Sequence, residues 1–356
     1  MEQEFDKRCD KLRSLMQDAS VDAYLVTDPT NIYYLSGFTG DEGLLLVTEK
    51  GRYLITDARF ETQIQTEHPW LEYKITRNYL TEALALCEQQ KVVALAFEET
   101  LTYQMYDQLD ETAMCDIVPL SGLIESLREI KSPAEIKKLK KSCQLAKEGY
   151  QYILEHVQVG QTELEVALEL DYFMRKKGAT NASFATIVAS GTRSALPHGV
   201  ASPKKLRSNE LVTLDFGYFL DHYTSDVTRV FALGEVPSKL AEIYQVVATA
   251  KQATIAAIRP GIETCEIDAI GRNYIKEAGY GDYFEHGMGH GIGLSVHENP
   301  YIGKIIPTVL QPGQVITIEP GIYLPDLGGV RLEDDILVTE NGYENLTDFG
   351  QEYRQI

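Results

Sequence analysis

Apolar and polar positions along the first third of the chain follow two rhythms. Short apolar runs read as strands: AYLVT (23–27), IYYLSGF (32–38), GLLLVT (43–48), RYLIT (52–56), VVALAF (92–97) and CDIVPL (115–120). Between and before them lie stretches with apolar positions three to four apart, to about Asp18, over 80–89 and over 103–109, which read as helices. Strand and helix alternate, so residues 1–125 read as an α/β domain with its own core. Residues 126–356 then form a second domain. It opens on a connecting helical segment (124–130) and on Ser132-Pro133-Ala134-Glu135, where a capping serine, a proline at the first helical position and a glutamate three residues after the cap start a helix running to about Val157.

From Gly160 the pattern repeats. GQTELEVALELDYFMRKKG (160–178) and GIETCEIDAIGRNYIKEAG (261–279) share their length and their helical apolar spacing at an offset of 101 residues. KLRSNELVTLDFG (205–217) matches VLQPGQVITIEPG (309–321) at an offset of 104 and sets Asp215 against Glu319. Two blocks at nearly one offset indicate a duplicated, pseudo-twofold α+β domain. Each half contains a hairpin pattern. In the first, LVTLDFGYFLDHYTSDVTRVF (211–231), symmetry about the Leu220/Asp221 step makes Asp215 and Asp226 direct partners, with Cβ atoms about 4.5–5.5 Å apart. In the second, symmetry about Asp326 in the turn-rich 325–329 segment pairs Glu319 with Glu333.

Composition narrows the chemistry. The 356 residues carry 33 Lys and Arg against 53 Asp and Glu, a net charge of −20 that argues against nucleic acid or anionic membrane as a partner. The charged N-terminus has no apolar core and no run approaches membrane-spanning length; the five cysteines are scattered without CxxC spacing and read as buried free thiols. A cytoplasmic protein is expected. His68 beside Pro69 reads as a surface residue, and so does His222 in the first hairpin turn.

Four carboxylates facing one apolar-walled cleft repel unless positive charge lies among them. Two divalent cations would supply it. Carboxylates select hard or borderline ions, and a bridged pair about 3.5–4 Å apart can polarise a carbonyl and generate hydroxide near neutral pH. HGMGHGIGLSVHE (286–298) places His286, His290 and His297 among glycines that let backbone approach a buried centre, and His290 is read as a metal ligand. His198, in LPHG, sits at a comparable place in the first half.

The ordered motifs LDFG, SDVTR, GHGIG, EPGIY and VRLED resemble those of the metallopeptidases of the pita-bread fold, the group containing methionine aminopeptidase, prolidase and aminopeptidase P. The leading α/β domain resembles the creatinase-like N-terminal domain of prolidase and aminopeptidase P; GFTGDEGLLLVTEKGRYLITDARF (37–60) is similar to short bacterial Xaa-Pro aminopeptidases. The resemblance implies that Asp215 binds one metal, that Asp226 and Glu333 bridge both, and that His290 and Glu319 complete the other. It implies that Glu319 shuttles a proton, that His198 and His297 contact substrate, and that His286 and Arg331 shape the pocket. Manganese is the expected metal, with cobalt or zinc as alternatives, and a homodimer is the expected assembly. The implied activity is removal of an N-terminal residue preceding proline; the alternatives are a strict Xaa-Pro dipeptidase (prolidase), a creatinase-like amidinohydrolase and, remotely, a non-catalytic peptide-binding module. An Xaa-Pro bond is a tertiary amide with a restricted preceding residue, which is why a dedicated pocket is needed.

Overall fold

A computed structural model describes residues 2–350 and 353–356. The chain divides into two compact units, Met1–Arg128 and Glu129–Ile356. In the first, a six-stranded sheet takes the order β4-β3-β2-β1-β5-β6, from β1 (Ala23–Val26), β2 (Leu44–Thr48), β3 (Arg52–Thr56), β4 (Glu72–Ile75), β5 (Ala94–Phe97) and β6 (Asp116–Pro119). Helices α1 (Glu2–Asp18), α2 (Pro29–Ser36), α3 (Glu61–Glu67), α4 (Tyr79–Gln90) and α5 (Tyr103–Thr112) alternate with the strands. Leu25, Leu46, Ile55, Leu95 and Phe97 form part of the core.

Two sequence expectations fail in this unit. IYYLSGF is not a strand, because Asp28 caps a helix by accepting from the Thr30 and Asn31 amides at 2.8 and 3.1 Å, Pro29 occupies the first turn, and Gly37 ends it at φ 78°. Local capping outweighs the β preference of Ile and Tyr. His68 is not a surface residue; its ring packs edge-on to Trp70 at 5.8 Å and burial lowers its pKa. Of the five cysteines, Cys9, Cys87 and Cys143 are buried free thiols, as read, whereas Cys115 and Cys265 are half-exposed.

After α6 (Leu123–Glu129), the second unit begins with α7 (Pro133–His156), whose Ser132/Glu135 capping box is complete. There follow α8 (Glu163–Lys176), β7 (Ile187–Ser190), β8 (Glu210–Phe216), β9 (Phe219–Leu220), β10 (Tyr223–Thr224) and β11 (Val227–Leu233). The second half supplies α9 (Ser238–Ala256), α10 (Thr264–Glu277), β12 (Gly289–Gly291), β13 (Glu298–Ile302), β14 (Val315–Ile318), β15 (Gly321–Leu324), β16 (Gly328–Arg331), β17 (Asp334–Thr339), β18 (Gly342–Asn345) and β19 (Arg354–Gln355).

The duplication is carried in backbone hydrogen bonds. Gly160 N donates to Leu206 O and Leu206 N to Gln161 O, while Gly261 N donates to Leu310 O and Leu310 N to Ile262 O. The isolated bridges Thr162–Lys205 and Glu263–Val309 repeat the relation, and α8 and α10 both have 14 residues. Each half has its own core: Leu170, Met174, Val212, Leu214 and Phe231 in the first, Val247, Ile267, Ile275, Ile316 and Ile336 in the second. β8 and β11 lie in one sheet and β14 and β17 in the other, so the arrangement the two halves share is a helix-backed hairpin. No helix among the described residues is long and apolar enough to cross a membrane.

Candidate metal centre

The second hairpin has the register that its turn residues dictate. β14 pairs Ile318 with Asp334, β15 pairs Gly321 with Arg331, and Glu319 and Glu333 fall in step between these ladders. The first hairpin does not. β8 pairs Asp215 with Thr228, so Asp226 is a diagonal neighbour of Asp215 and not its direct partner. The turn is centred on Asp221 and His222, at φ 51° and 71°, because Asp and His tolerate left-handed backbone where Leu220 would be strained. His222 is exposed there, as read. Asp226 is two residues from Thr228 and remains on the face that Asp215 shares.

The five ligand candidates come together. One side-chain ligand atom each of Asp226, His290 and Glu333 lies within 4.8 Å of the others. His290 Nε2 is 3.7 Å from Asp226 Oδ2 and 3.6 Å from Glu319 Oε1. Asp215 joins through Arg331, whose Nη2 binds its Oδ2. Arg331 is buried and spends its other donors on Thr228 Oγ1 (3.1 Å), Tyr323 Oη (2.7 Å) and the Pro197 carbonyl (3.0 Å).

Hydrogen-bond direction follows from which groups can only donate or only accept. His290 Nδ1 lies 3.0 Å from the Gly291 carbonyl, so it carries the proton and Nε2 presents its lone pair to Asp226 and Glu319. Burial pushes the His290 pKa down to about 4, which keeps the ring neutral. His286 is likewise depressed to about 4, by burial and then by Arg331. Its Nδ1 donates to Gly287 O at 2.8 Å, and its Nε2 accepts from Tyr323 Oη at 2.8 Å. Arg331, Tyr323 and His286 therefore form a directed chain.

The carboxylates are electrostatically frustrated. Burial, then repulsion from Glu333 and Asp215, drives Asp226 well above the carboxylate range; burial, then Glu319 and Asp215, does the same for Glu333. Glu319 is raised to about 7 by burial, with Arg331 opposing and Asp215 adding repulsion. Asp215 Oδ1 is buried with no hydrogen-bond partner. An orphaned carboxylate oxygen, repelling neighbours and a neutral imidazole lone pair fit a divalent cation.

His198 and His297 are exposed at the edge of this cluster. The His297 ring packs against His290 at 4.5 Å, and His198 is near enough to His286 to help depress it. Four polar residues escaped the sequence reading. Thr228 donates to Glu333 Oε2 at 2.7 Å, Tyr323 bridges Arg331 and His286, the Thr317 hydroxyl accepts from His290 N at 3.1 Å, and Asp335 Oδ2 accepts from Asp226 N at 3.1 Å. Thr228 carried one available signal: strand alternation puts it two residues from Asp226, already a ligand candidate.

A duplicated α+β domain with a buried, carboxylate-rich centre and one neutral imidazole defines a metal-dependent hydrolase of the pita-bread fold. The chain belongs to metallopeptidase family M24, whose model matches residues 137–340, and residues 8–130 match the Creatinase/Prolidase N-terminal domain. It is 39% identical over 350 residues to the Xaa-Pro dipeptidase of Pyrococcus furiosus, covering 96% of this chain and 97% of that one. The solved Xaa-Pro dipeptidase from Bacillus anthracis superposes with a TM-score of 0.96 at 42% identity, covering 99% of this chain and 100% of that one. The X-Pro aminopeptidase from Thermotoga maritima superposes at 0.89 and 32% identity, covering 95% and 98%. The protein is a hydrolase, and its family implies divalent metal ions.

Proposed function

We propose that this chain hydrolyses the peptide bond between an N-terminal residue and a following proline. Xaa-Pro dipeptides are one substrate class, supported by the names of the Pyrococcus and Bacillus relatives. Longer peptides with proline second are the other, supported by the Thermotoga aminopeptidase. The observation that carries the reading is the convergence of Asp215, Asp226, His290, Glu319 and Glu333 on one buried cluster.

In this reading Asp215, Asp226 and Glu333, with His290 and Glu319, hold two divalent ions, manganese first and cobalt or zinc as alternatives. When bound, the ions supply the positive charge the carboxylates lack, polarise the scissile carbonyl and make water acidic near neutral pH. Glu319, beside the water the ions would activate, takes a proton from that water and passes it to the proline nitrogen as that nitrogen leaves. His198 and His297 meet the substrate from the exposed side and donate to its developing oxyanion. His286 is held for the same face by Tyr323 and Arg331. Arg331 ties one oxygen of Asp215 to this chain, and the other, buried without a hydrogen-bond partner, would be the one to hold an ion. The protein acts in the cytoplasm as a homodimer.

The deciding experiment is an assay of the metal-reconstituted protein against an Xaa-Pro dipeptide and an Xaa-Pro-Xaa tripeptide. Cleavage of the dipeptide alone makes it a strict dipeptidase, and cleavage of both makes it an aminopeptidase. Cleavage of neither, in protein shown to bind metal, refutes the proposal.

A further inference from the structure

One carboxylate outside the metal-ligand cluster holds both ends of the loop that carries His198. Glu163, the first residue of α8, is fully buried. Its Oε1 accepts from Ser190 N and Ser190 Oγ, both at 2.8 Å, and its Oε2 accepts from Ser202 N at 3.2 Å and Ser202 Oγ at 2.6 Å. Arg193 Nε reaches both oxygens, at 3.3 and 3.0 Å. Ser190 ends β7, so residues 191–201 form a segment tied at both ends and at one internal turn to a single side chain.

The donors cannot reverse. Lys204 Nζ donates to Ser190 Oγ at 2.7 Å and Lys204 N donates to Ser202 Oγ at 3.1 Å, which leaves each serine's own proton for Glu163. Arg193 Nη2 adds a cross-tie to Val200 O at 2.7 Å. Within the loop, the Pro197 carbonyl accepts from Arg331 and His198 follows it. The loop therefore meets the metal centre through Arg331 and is anchored behind through Glu163.

We propose that Glu163 is a positioning residue for the peptidase reaction, acting through His198 by clamping the 191–201 loop. The proposal rests on the substrate-contact role given to His198 above. An acceptor-only group is required, because two backbone N–H groups and a guanidinium converge on the two oxygens. Glu163→Gln keeps the shape but forces its NH2 against either the Ser190 or the Ser202 amide, so one end of the loop is released.

The test compares wild type and Glu163→Gln by hydrogen exchange, bound metal and kinetics. Exchange in 191–201 should accelerate about 10-fold or more, with α10 and β14 unchanged and the metal content per subunit equal. The kcat/KM for an Xaa-Pro dipeptide should fall about 10- to 100-fold, the scale of a small misplacement of a catalytic group. In a His198→Ala background the same substitution should change kcat/KM by less than about twofold, as residues acting through one another are not additive. Wild-type exchange in 191–201, or an undiminished kinetic loss in the His198→Ala background, overturns the proposal. If Glu163→Gln does not fold, Ser202→Ala removes one donor and must show the same pattern at about 2- to 5-fold. If no Xaa-Pro peptide is cleaved, the catalytic half falls with the reading it rests on, and exchange alone decides whether Glu163 holds the loop.

Discussion

Replacing Thr228 by valine removes a hydroxyl whose direction is set on both sides. Arg331 Nε can only donate, and it reaches Thr228 Oγ1 at 3.1 Å, so the hydroxyl proton points to Glu333 Oε2 at 2.7 Å. Thr228 is fully buried, and in the variant no water replaces the hydroxyl without disturbing the packing. A hydrogen bond to a charged group contributes about 1.5–3 kcal/mol, which corresponds to about 10- to 150-fold in an equilibrium constant. Loss of an outer partner of a metal ligand typically weakens binding about 10- to 100-fold, so the two routes to the magnitude agree. Calorimetric titration of metal-free Thr228→Val with Mn2+ should therefore show affinity reduced by about 10- to 100-fold, while Thr228→Ser, which retains the hydroxyl, stays within about threefold of wild type. Unchanged affinity in the valine variant refutes the argument. So does a serine variant as weak as valine, because the lost group would then be the methyl.

Chelation with EDTA should abolish hydrolysis and added manganese or cobalt should restore it; a rate that survives thorough chelation refutes metal dependence. Asp226→Ala removes a carboxylate of the central triad and should lower both metal content and rate, so full occupancy with a normal rate counts against a bridging role. His297→Ala, on the exposed side of the cluster, should lower turnover with metal retained; metal loss would make it a ligand. The metal-free protein should lose thermal stability from pH 6.5 to 8. Glu319 and Asp335 are held to about 7 in the fold against ordinary values of 4.5 and 3.8, so the fold binds more protons than the unfolded chain and is destabilised as pH rises through that value. His286 and His290, depressed to about 4 from 6.5, act in the opposite sense, because the unfolded chain takes up their protons as pH falls through 6.5; Asp226 and Glu333, raised well above the carboxylate range, add to the loss as pH rises, so the net slope is downward. A melting temperature that is flat or rising over pH 6.5–8 refutes the assignment.

What the sequence made legible depended on how unusual each residue is where it stands. The second hairpin was readable because Pro325, Asp326 and two glycines permit few turns, and Asp326 adopts φ 64° as such a turn requires. The first was misjudged by one residue, enough to replace Thr228 by Asp226 opposite Asp215, because its Asp-His turn lacks the glycine that usually marks the position. IYYLSGF was misread because its β-prone residues outweighed a capping aspartate and a proline that lie just before the apolar run. The four carboxylate candidates stood out because a carboxylate in an apolar hairpin arm is costly to bury alone and demands a partner, and His290 because it stands in a glycine-rich loop between the two hairpins.

The residues missed share the opposite property. Threonine is an ordinary strand former, so Thr228 and Thr317 raise no question within their own segments, and Tyr323 is equally at home in a strand. Their roles come from groups distant in sequence: Glu333 and Arg331 lie 105 and 103 residues from Thr228. Glu163 is the extreme case. In the segment Gln161-Thr162-Glu163-Leu164-Glu165 it reads as one of two acids in a helix's first turn, where negative charge is favoured and normally solvated. Only its complete burial separates it from Glu165, which is exposed and closes an ordinary capping box with Thr162. The two glutamates have the same local chemistry and differ only in what the folded chain brings to them. A clamp on the His198 loop could therefore be inferred from the assembled half-domain, where Ser190, Arg193 and Ser202 converge on one carboxylate, and not from the helix that contains it.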